Sequence, residues 1–300
     1  MFHWFGKLQN ECCTTKRNPE FDAARYYEYP QHLRAMMDDL PNSPGVYIFH
    51  GQEGDLPVYI GKSVNLRSRV LSHLRTEDEA RMLRQTQRIS HICTAGEIGA
   101  LLLEASLIKQ LHPLFNQKLR RTRQLCAWTI QDGRAHLVHS KDVDFAVQAD
   151  LFGLYASKHS AVAALRALAD QYKLCYGPLG LEKHTPNKPC FRSMLQQCAG
   201  VCCGRESTKD HTSRFLESLE ALRVACWPYP GSVGLVERHQ SSYQMHVINH
   251  WCYLGSVDDP DTAITEARAL ASQAAGFDAD GYKILCRPLL SGNAEIIPLW

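Results

Sequence analysis

The sequence predicts an α+β protein, and three observations carry that prediction. An alternating apolar run from Gly45 to Phe49 is followed by turn-forming residues and a second apolar run, Val58 to Ile60. Helical spacing then takes over at Leu66, Val70 and Leu74 and again across Ile98 to Leu111. Further on, strand-like and helix-like segments flank a stretch dense in cysteine, glycine and proline. A period of two marks strands and a period near 3.6 marks helices, so both kinds of element are expected in turn.

The first two runs read as a hairpin, because Val46 and Ile48 alternate with Tyr47 and Phe49 and the Gly51 to Asp55 segment is rich in turn formers. After Gly61, Ser63 or Asn65 can cap a helix whose Leu66, Val70 and Leu74 face inward, while Arg69 and His73 share another face. A basic helix is expected at about Asp78 to Arg88, a strand at Ile89 to Thr94, and a long helix from Ile98 that stops near Pro113. Beyond it come apolar stretches at Ala127 to Ile130, Leu137 to His139 and Phe152 to Tyr155, then a helix from about Ser160 to Lys173. In the last third, Phe215, Leu219, Leu222 and Cys226 mark a helix face, and Tyr243 to Leu254 alternates like a strand. A helix near Thr262 to Ala274 and a strand around Tyr282 to Cys286 complete the expectation. The organisation expected is an N-terminal arm over 1–40, a compact domain over 41–117, a linker and cysteine-rich region over 118–205, and a C-terminal α+β region over 206–300.

With 300 residues and 45% hydrophobic content, the chain can bury more than one core. Met1 to Lys7 is too short and too interrupted for a signal-peptide core, and no apolar run is long enough to span a bilayer, so a cytoplasmic protein is expected. Twelve cysteines then point to metal binding or burial rather than disulfides. The net charge of +2 hides an asymmetry: from Tyr59 to Arg123 there are twelve Lys or Arg against five Asp or Glu. That region is suited to an anion.

Within it lie the parts of a phosphodiester-cutting site. A tyrosine hydroxyl relays protons, an arginine holds a phosphate, and a glutamate binds a divalent cation, which makes Tyr47, Tyr59, Lys62, Arg69, His73, Glu104 and Asn116 the candidates. Glu104 has Ala100, Leu101, Leu107, Ile108 and Leu111 as helical neighbours, so its carboxylate must be ion-paired, turned to solvent or bound to a cation. The phenols titrate near 10 when unperturbed, so a base role needs a nearby cation, and Lys62 is placed to supply it. His73 and Asn116 read equally as a surface histidine and a turn cap. For gripping backbone phosphates, Lys62, Arg67 and Arg69 are joined by Lys118, Arg120, Arg121 and Arg123. Cys175, Cys190, Cys198 and Cys202, separated by fourteen, seven and three residues with Cys203 adjacent, can enclose zinc or an iron-sulfur cluster.

Gly45-Val46-Tyr47, Tyr59-Ile60-Gly61-Lys62, Arg69, Glu104 and Asn116 resemble the GIY-YIG nuclease superfamily, and Leu101 to Lys109 followed by Pro113 and Asn116 is the most diagnostic piece. Asn42 to Phe115 is similar to the N-terminal nuclease domain of UvrC, and Gln124 to Ala127 with Gly281 to Cys286 extends the likeness to short UvrC homologues over nearly the whole chain. The resemblance implies a three-stranded antiparallel sheet flanked by helices, and incision 3′ to a lesion in nucleotide excision repair on a UvrB-DNA complex prepared by UvrA. It also implies induction in the SOS response. Glu104 would hold one Mg²⁺ or Mn²⁺, Arg69 would stabilise the phosphate charge, Tyr59 would accept the proton of the attacking water with help from Tyr47 and Lys62, and Asn116 would brace the surroundings. His73 stands where UvrC commonly has tyrosine, and Val46 where the motif name has isoleucine. The cysteine region resembles the one that follows the UvrC nuclease domain, which implies a 4Fe-4S cluster rather than zinc. The chain ends before any counterpart of the second UvrC nuclease, so one incision is expected. The alternatives are a DNA-binding adaptor that never cuts and a freestanding GIY-YIG nuclease.

Overall fold

The structure is a computed structural model and describes residues 30–300 apart from 53–55, 117–124, 184, 186–187 and 274–275. The tyrosine-rich segment before Pro30, Cys12, Cys13 and the basic residues Lys118, Arg120, Arg121 and Arg123 lie outside the described residues.

Strand β1 (Gly45–His50) is buried along its whole length because it is the middle of a sheet ordered β2-β1-β3, with β2 at Pro57–Ser63 and β3 at Arg88–Cys93. Both neighbours run antiparallel, with Tyr47 opposite Gly61 and Phe49 opposite Tyr59. The alternation of β1 therefore separates two apolar faces. Val46 and Ile48 join Ile60 under α4 (Glu97–Leu111), whereas Tyr47 and Phe49 pack on Leu66, Val70 and Leu74 of α2 (Leu66–Arg75). Asn65 caps α2 by accepting the Ser68 N–H. The helix expected over 78–88 is shorter, a 3-10 turn at Glu77–Glu79 and α3 at Ala80–Gln85.

Two details differ from expectation here. Residues 30–40 are part of the core of this first domain rather than a polar arm: α1 (His32–Ala35) and the turn after it bury Leu33, Met37 and Leu40 against α2. His73 joins the buried stripe of α2, because it lies three residues after Val70 and next to Leu74, while Arg69 stays exposed.

The middle lobe holds β4 (Cys126–Gln131), β5 (Arg134–His139) and β6 (Phe152–Tyr155) in the order β5-β4-β6, backed by α5 (Lys158–Gln171). The cysteine stretch follows, with α6 at Phe191–Met194, and leads to α7 (Thr208–Leu219). Cys226 lies beyond that helix, which ends in a 3-10 turn at Glu220–Leu222.

The C-terminal lobe is a four-stranded antiparallel sheet, β10-β7-β8-β9, made of β7 (Val233–His239), β8 (Ser242–Asn249), β9 (Cys252–Val257) and β10 (Glu295–Pro298). Helix α8 (Ala263–Ala271) covers one face, and α9 (Ala279–Leu290) with α4 covers the other. The strand expected over 243–254 is two strands, because His250 and Trp251 both take positive φ, 49° and 66°, and reverse the chain. The expected strand at Tyr282 to Cys286 is instead part of α9. Asp278 caps that helix through the Asp280 and Gly281 N–H groups, and Gly281, Leu285 and Leu289 form its buried stripe at four-residue spacing.

Helix α4 lies between the N-terminal sheet and the C-terminal sheet, so Ile108 enters one core and Leu102 the other. A helix covered from two sides is apolar nearly all round, which is why its sequence shows little amphipathic contrast. No helix of the described residues is long and apolar enough to cross a membrane.

Candidate active site

The site forms along the free edge of β2, the edge strand of the N-terminal sheet. Along such an edge the backbone groups of alternate residues point outward. Asn116 takes one set: its carbonyl oxygen accepts the Ile60 N–H at 2.9 Å and its amide donates to the Ile60 C=O at 2.7 Å. Glu104 takes the next, accepting the Lys62 N–H at 3.1 Å. Two residues that are 56 and 42 positions away from their partners in sequence thus stand side by side along one strand.

Between them, Tyr59 and Gly61 present the other face of β2 to Tyr47. The Tyr47 hydroxyl lies so close to Gly61 that a Cβ there would come within 2.3 Å of it, so a glycine at this point of β2 leaves room for the phenol. Tyr47 and Tyr59 have ring centroids 6.2 Å apart, with their planes tilted by 39°. Burial raises both phenols above their ordinary value, Tyr47 most; Tyr59 and Glu104 raise Tyr47 further and Glu104 raises Tyr59, whereas Arg69 lowers both and Tyr47 lowers Tyr59. The Arg69 guanidinium, on the exposed side of α2, favours the ionised form of Tyr47 by its charge. Glu104 is also raised, chiefly by burial, and is held down by the Lys62 N–H and by the charges of Lys62 and Arg69.

His73 is 3% exposed and sits against both phenols: its Nε2 is 2.5 Å from the Tyr47 hydroxyl, and its Nδ1 meets the Glu79 carboxylate. It is therefore a buried member of the site and not a surface histidine. Glu79, from the 3-10 turn, is the residue that sequence reasoning missed, since Glu77-Asp78-Glu79 looks like a solvated acidic run. Lys62 differs from expectation. Its ammonium pairs with Glu97 at 2.5 Å, at the start of α4, so its charge bears on Glu104 rather than on Tyr59. Arg67 pairs with Asp38 at 3.4 Å on the surface.

Glu104 fits a divalent cation as a single carboxylate: one oxygen is engaged by a backbone N–H, and a small hard ion takes its remaining ligands from water and phosphate. The four cysteines converge far from these residues in sequence. The Cys190 sulfur lies 3.6 Å from that of Cys175 and 3.8 Å from that of Cys198, and the Cys190 N–H donates to the Cys202 sulfur at 3.3 Å. Cys203 turns away, to Ser193 and the Gly200 C=O. Such a set of thiols fits a soft metal centre.

Three family models tile the chain: the UvrC-like GIY-YIG domain over 43–117, the middle domain of the UvrC/Cho excinucleases over 118–221, and the C-terminal domain of excinuclease Cho over 232–300. Excinuclease Cho of Escherichia coli K12 is 58% identical over 280 residues, covering 93% of this chain and 94% of that protein. This chain belongs to the excinuclease Cho family. It is thus an endonuclease of DNA repair with a GIY-YIG catalytic domain. Excinuclease Cho of Salmonella typhimurium is 55% identical over the same shares of both chains. A crystal structure of the GIY-YIG N-terminal endonuclease domain of UvrC from Thermotoga maritima, bound to its catalytic magnesium, is 35% identical, with TM-score 0.27, covering 29% of this chain and 98% of that one. The Cho-type C-terminal domain is the lobe whose sheet packs on α4, the helix that carries Glu104.

Proposed function

We propose that this Cho-family enzyme hydrolyses one phosphodiester on the 3′ side of a lesion in duplex DNA, acting on DNA that UvrB has already engaged after loading by UvrA. The observation that carries the reading is the convergence of Glu104, Tyr59, Tyr47 and Arg69 around one strand edge. A DNA-binding adaptor has use for basic residues but none for a half-buried carboxylate beside two phenols.

Glu104 would hold the Mg²⁺ or Mn²⁺, and that ion supplies charge stabilisation at the scissile phosphate and the departing oxygen. Arg69, exposed and already aimed at the phenols, binds the non-bridging phosphate oxygens as charge builds. Tyr59, half-buried at the strand edge, accepts a proton from the attacking water. Asn116 fixes the backbone of Ile60, so Tyr59 and Gly61 on either side keep their register. Lys62 holds the start of α4 through Glu97 and lends its N–H to Glu104. The products would carry 3′-hydroxyl and 5′-phosphate ends, and the enzyme would work in the cytoplasm on the nucleoid.

The four cysteines carry a metal centre of structural or DNA-sensing role, for which the family resemblance supplies a 4Fe-4S cluster. The sulfurs of Cys175, Cys190 and Cys202 lie within 4.8 Å of one another, which favours a second identity. Thiolates about 2.3 Å from one tetrahedral ion stand about 3.8 Å apart, whereas the thiolates of a cubane each bind a different iron and spread wider. Visible absorption with iron, sulfide and zinc analysis of protein purified without oxygen separates the two.

The activity is tested on lesion-bearing duplex with UvrA, UvrB, ATP and Mg²⁺. The native chain is expected to leave a single nick 3′ of the lesion, and Glu104→Gln none. A nick on the 5′ side, or equal cutting by both proteins, would overturn the proposal.

A further inference from the structure

A phenol that must accept a proton is a poor base when burial opposes its ionisation, and here the full burial of Tyr47 and the partial burial of Tyr59 raise both phenols. Among the described residues neither has a lysine at its oxygen, since Lys62 is paired with Glu97. The hydrogen bonds lead elsewhere. Tyr59 packs beside Tyr47, with ring centroids 6.2 Å apart, and from the Tyr47 hydroxyl they pass to His73 Nε2 at 2.5 Å and from His73 Nδ1 to Glu79. Glu79, the last member, is 32% exposed and opens the chain to solvent.

We propose that Tyr59, Tyr47 and His73 form a proton relay ending at the His73 imidazole, and that Glu79 is the positioning residue that holds this imidazole in the accepting tautomer. The inference rests on the nuclease reading above and deepens it. A carboxylate accepting the Nδ1–H leaves Nε2 with a free lone pair toward Tyr47, and it stabilises the imidazolium that forms. The attacking water loses one proton to the Tyr59 oxygen as its own oxygen bonds to phosphorus. Tyr59 passes its original proton to Tyr47, and Tyr47 passes its own to His73 Nε2. Both phenols finish neutral, so no phenolate is ever required. The phosphorus bond to the departing 3′ oxygen breaks, that oxygen takes a proton from solvent, and His73 returns its proton to solvent past Glu79 before the next turnover.

The charged and titratable groups that face His73 are Tyr47 from β1, Tyr59 from β2, Arg69 from its own helix and Glu79 from the turn beyond. Burial holds the imidazole below its ordinary 6.5, Arg69 pushes the same way, and Glu79 opposes them. The relay works with neutral His73, so the rate should rise with pH through a value below 6.5 and then stay flat while the phenols remain protonated.

The test compares single-turnover incision by the native chain, Glu79→Gln and Glu104→Gln between pH 5 and 9. Melting temperature, duplex affinity and Mg²⁺ half-saturation are followed alongside. Glu79→Gln is expected to fold and bind normally, to lose roughly 10- to 100-fold of the plateau rate, and to move its acid limb to lower pH, since the upward pull of the carboxylate on His73 is gone. In ¹⁵N spectra of the native chain the His73 proton should sit on Nδ1. An unchanged plateau and acid limb in Glu79→Gln, or a proton on Nε2, would overturn the relay while leaving the nuclease intact. A native chain as inactive as Glu104→Gln would instead overturn the nuclease reading, and the relay with it.

Discussion

Arg69 stands on the exposed face of α2 and its charge still acts on Tyr47, so its planar fork is free to serve a phosphate beside the phenols. A lysine would keep the charge and lose the fork. Arg69→Lys is therefore expected to retain duplex binding and lose roughly 10²-fold in single-turnover incision, measured with DNA in excess of its dissociation constant. Asn116 works through backbone rather than charge. Asn116→Ala removes two hydrogen bonds from Ile60 and should cost about 1–3 kcal/mol in urea unfolding, with incision reduced through the position of Tyr59. The residue types of the site were readable in the sequence because this chemistry needs an acid, an arginine and phenols in a small domain. Their contacts were less so. The partner of Asn116 is a backbone 56 residues earlier, and Glu79 gains its meaning only when the turn after α2 folds back onto His73.

Among the elements, α4 shows how a local rule can be satisfied from a distance. Its N-cap position is Gly96, which has no side chain to offer, and the first-turn donors are met by Glu237 on β7: the Ile98 N–H at 3.1 Å and the Gly99 N–H at 2.6 Å. His246 Nε2 holds the same carboxylate at 3.0 Å. Burial alone would raise Glu237, but these hydrogen bonds outweigh it and leave the carboxyl below its usual 4.5. A depressed carboxylate contributes stability above its unfolded value and loses it as pH falls through the folded one. Glu237→Gln should thus cost about 1–3 kcal/mol near pH 7, with the difference from the native chain shrinking below pH 4.5, as read from urea unfolding across that range. Elements with strong local signals were legible: the β1–β2 hairpin, α2, α4 and α5 lie where periodicity placed them. Helix α9 did not, because Tyr282, Ile284 and Cys286 mimic a strand alternation, while the features that decide its form are the Asp278 cap and the stripe of Gly281, Leu285 and Leu289. Strands β7 and β10 were also unforeseen, their pairing being set by tertiary contact.

At the level of the whole molecule, α4 couples the catalytic domain to the Cho-type C-terminal lobe. Leu102 lies in the core of that lobe, Ile108 in the nuclease core, and Lys109 bridges to Asp278 at 2.6 Å and Asp280 at 3.1 Å. The two surfaces meet closely at Gly99, where a Cβ would stand 2.6 Å from His246 Cε1 and 3.1 Å from the Gln244 side-chain oxygen. His246 is fully buried and cannot retreat without giving up Glu237 or Ser256. Gly99→Ala should therefore push α4 off the C-terminal sheet, even though alanine is the better helix former and would stabilise an isolated α4 by about 1 kcal/mol. Overpacking of this kind costs about 1–3 kcal/mol, so the net sign is destabilising. Because α4 is shared, hydrogen exchange should speed up both in β7 and β8 and along the β2 edge at Lys62, whose N–H Glu104 accepts. Faster exchange in the C-terminal sheet alone, with Lys62 and the incision rate unaffected, would show that the nuclease site is held without the second lobe.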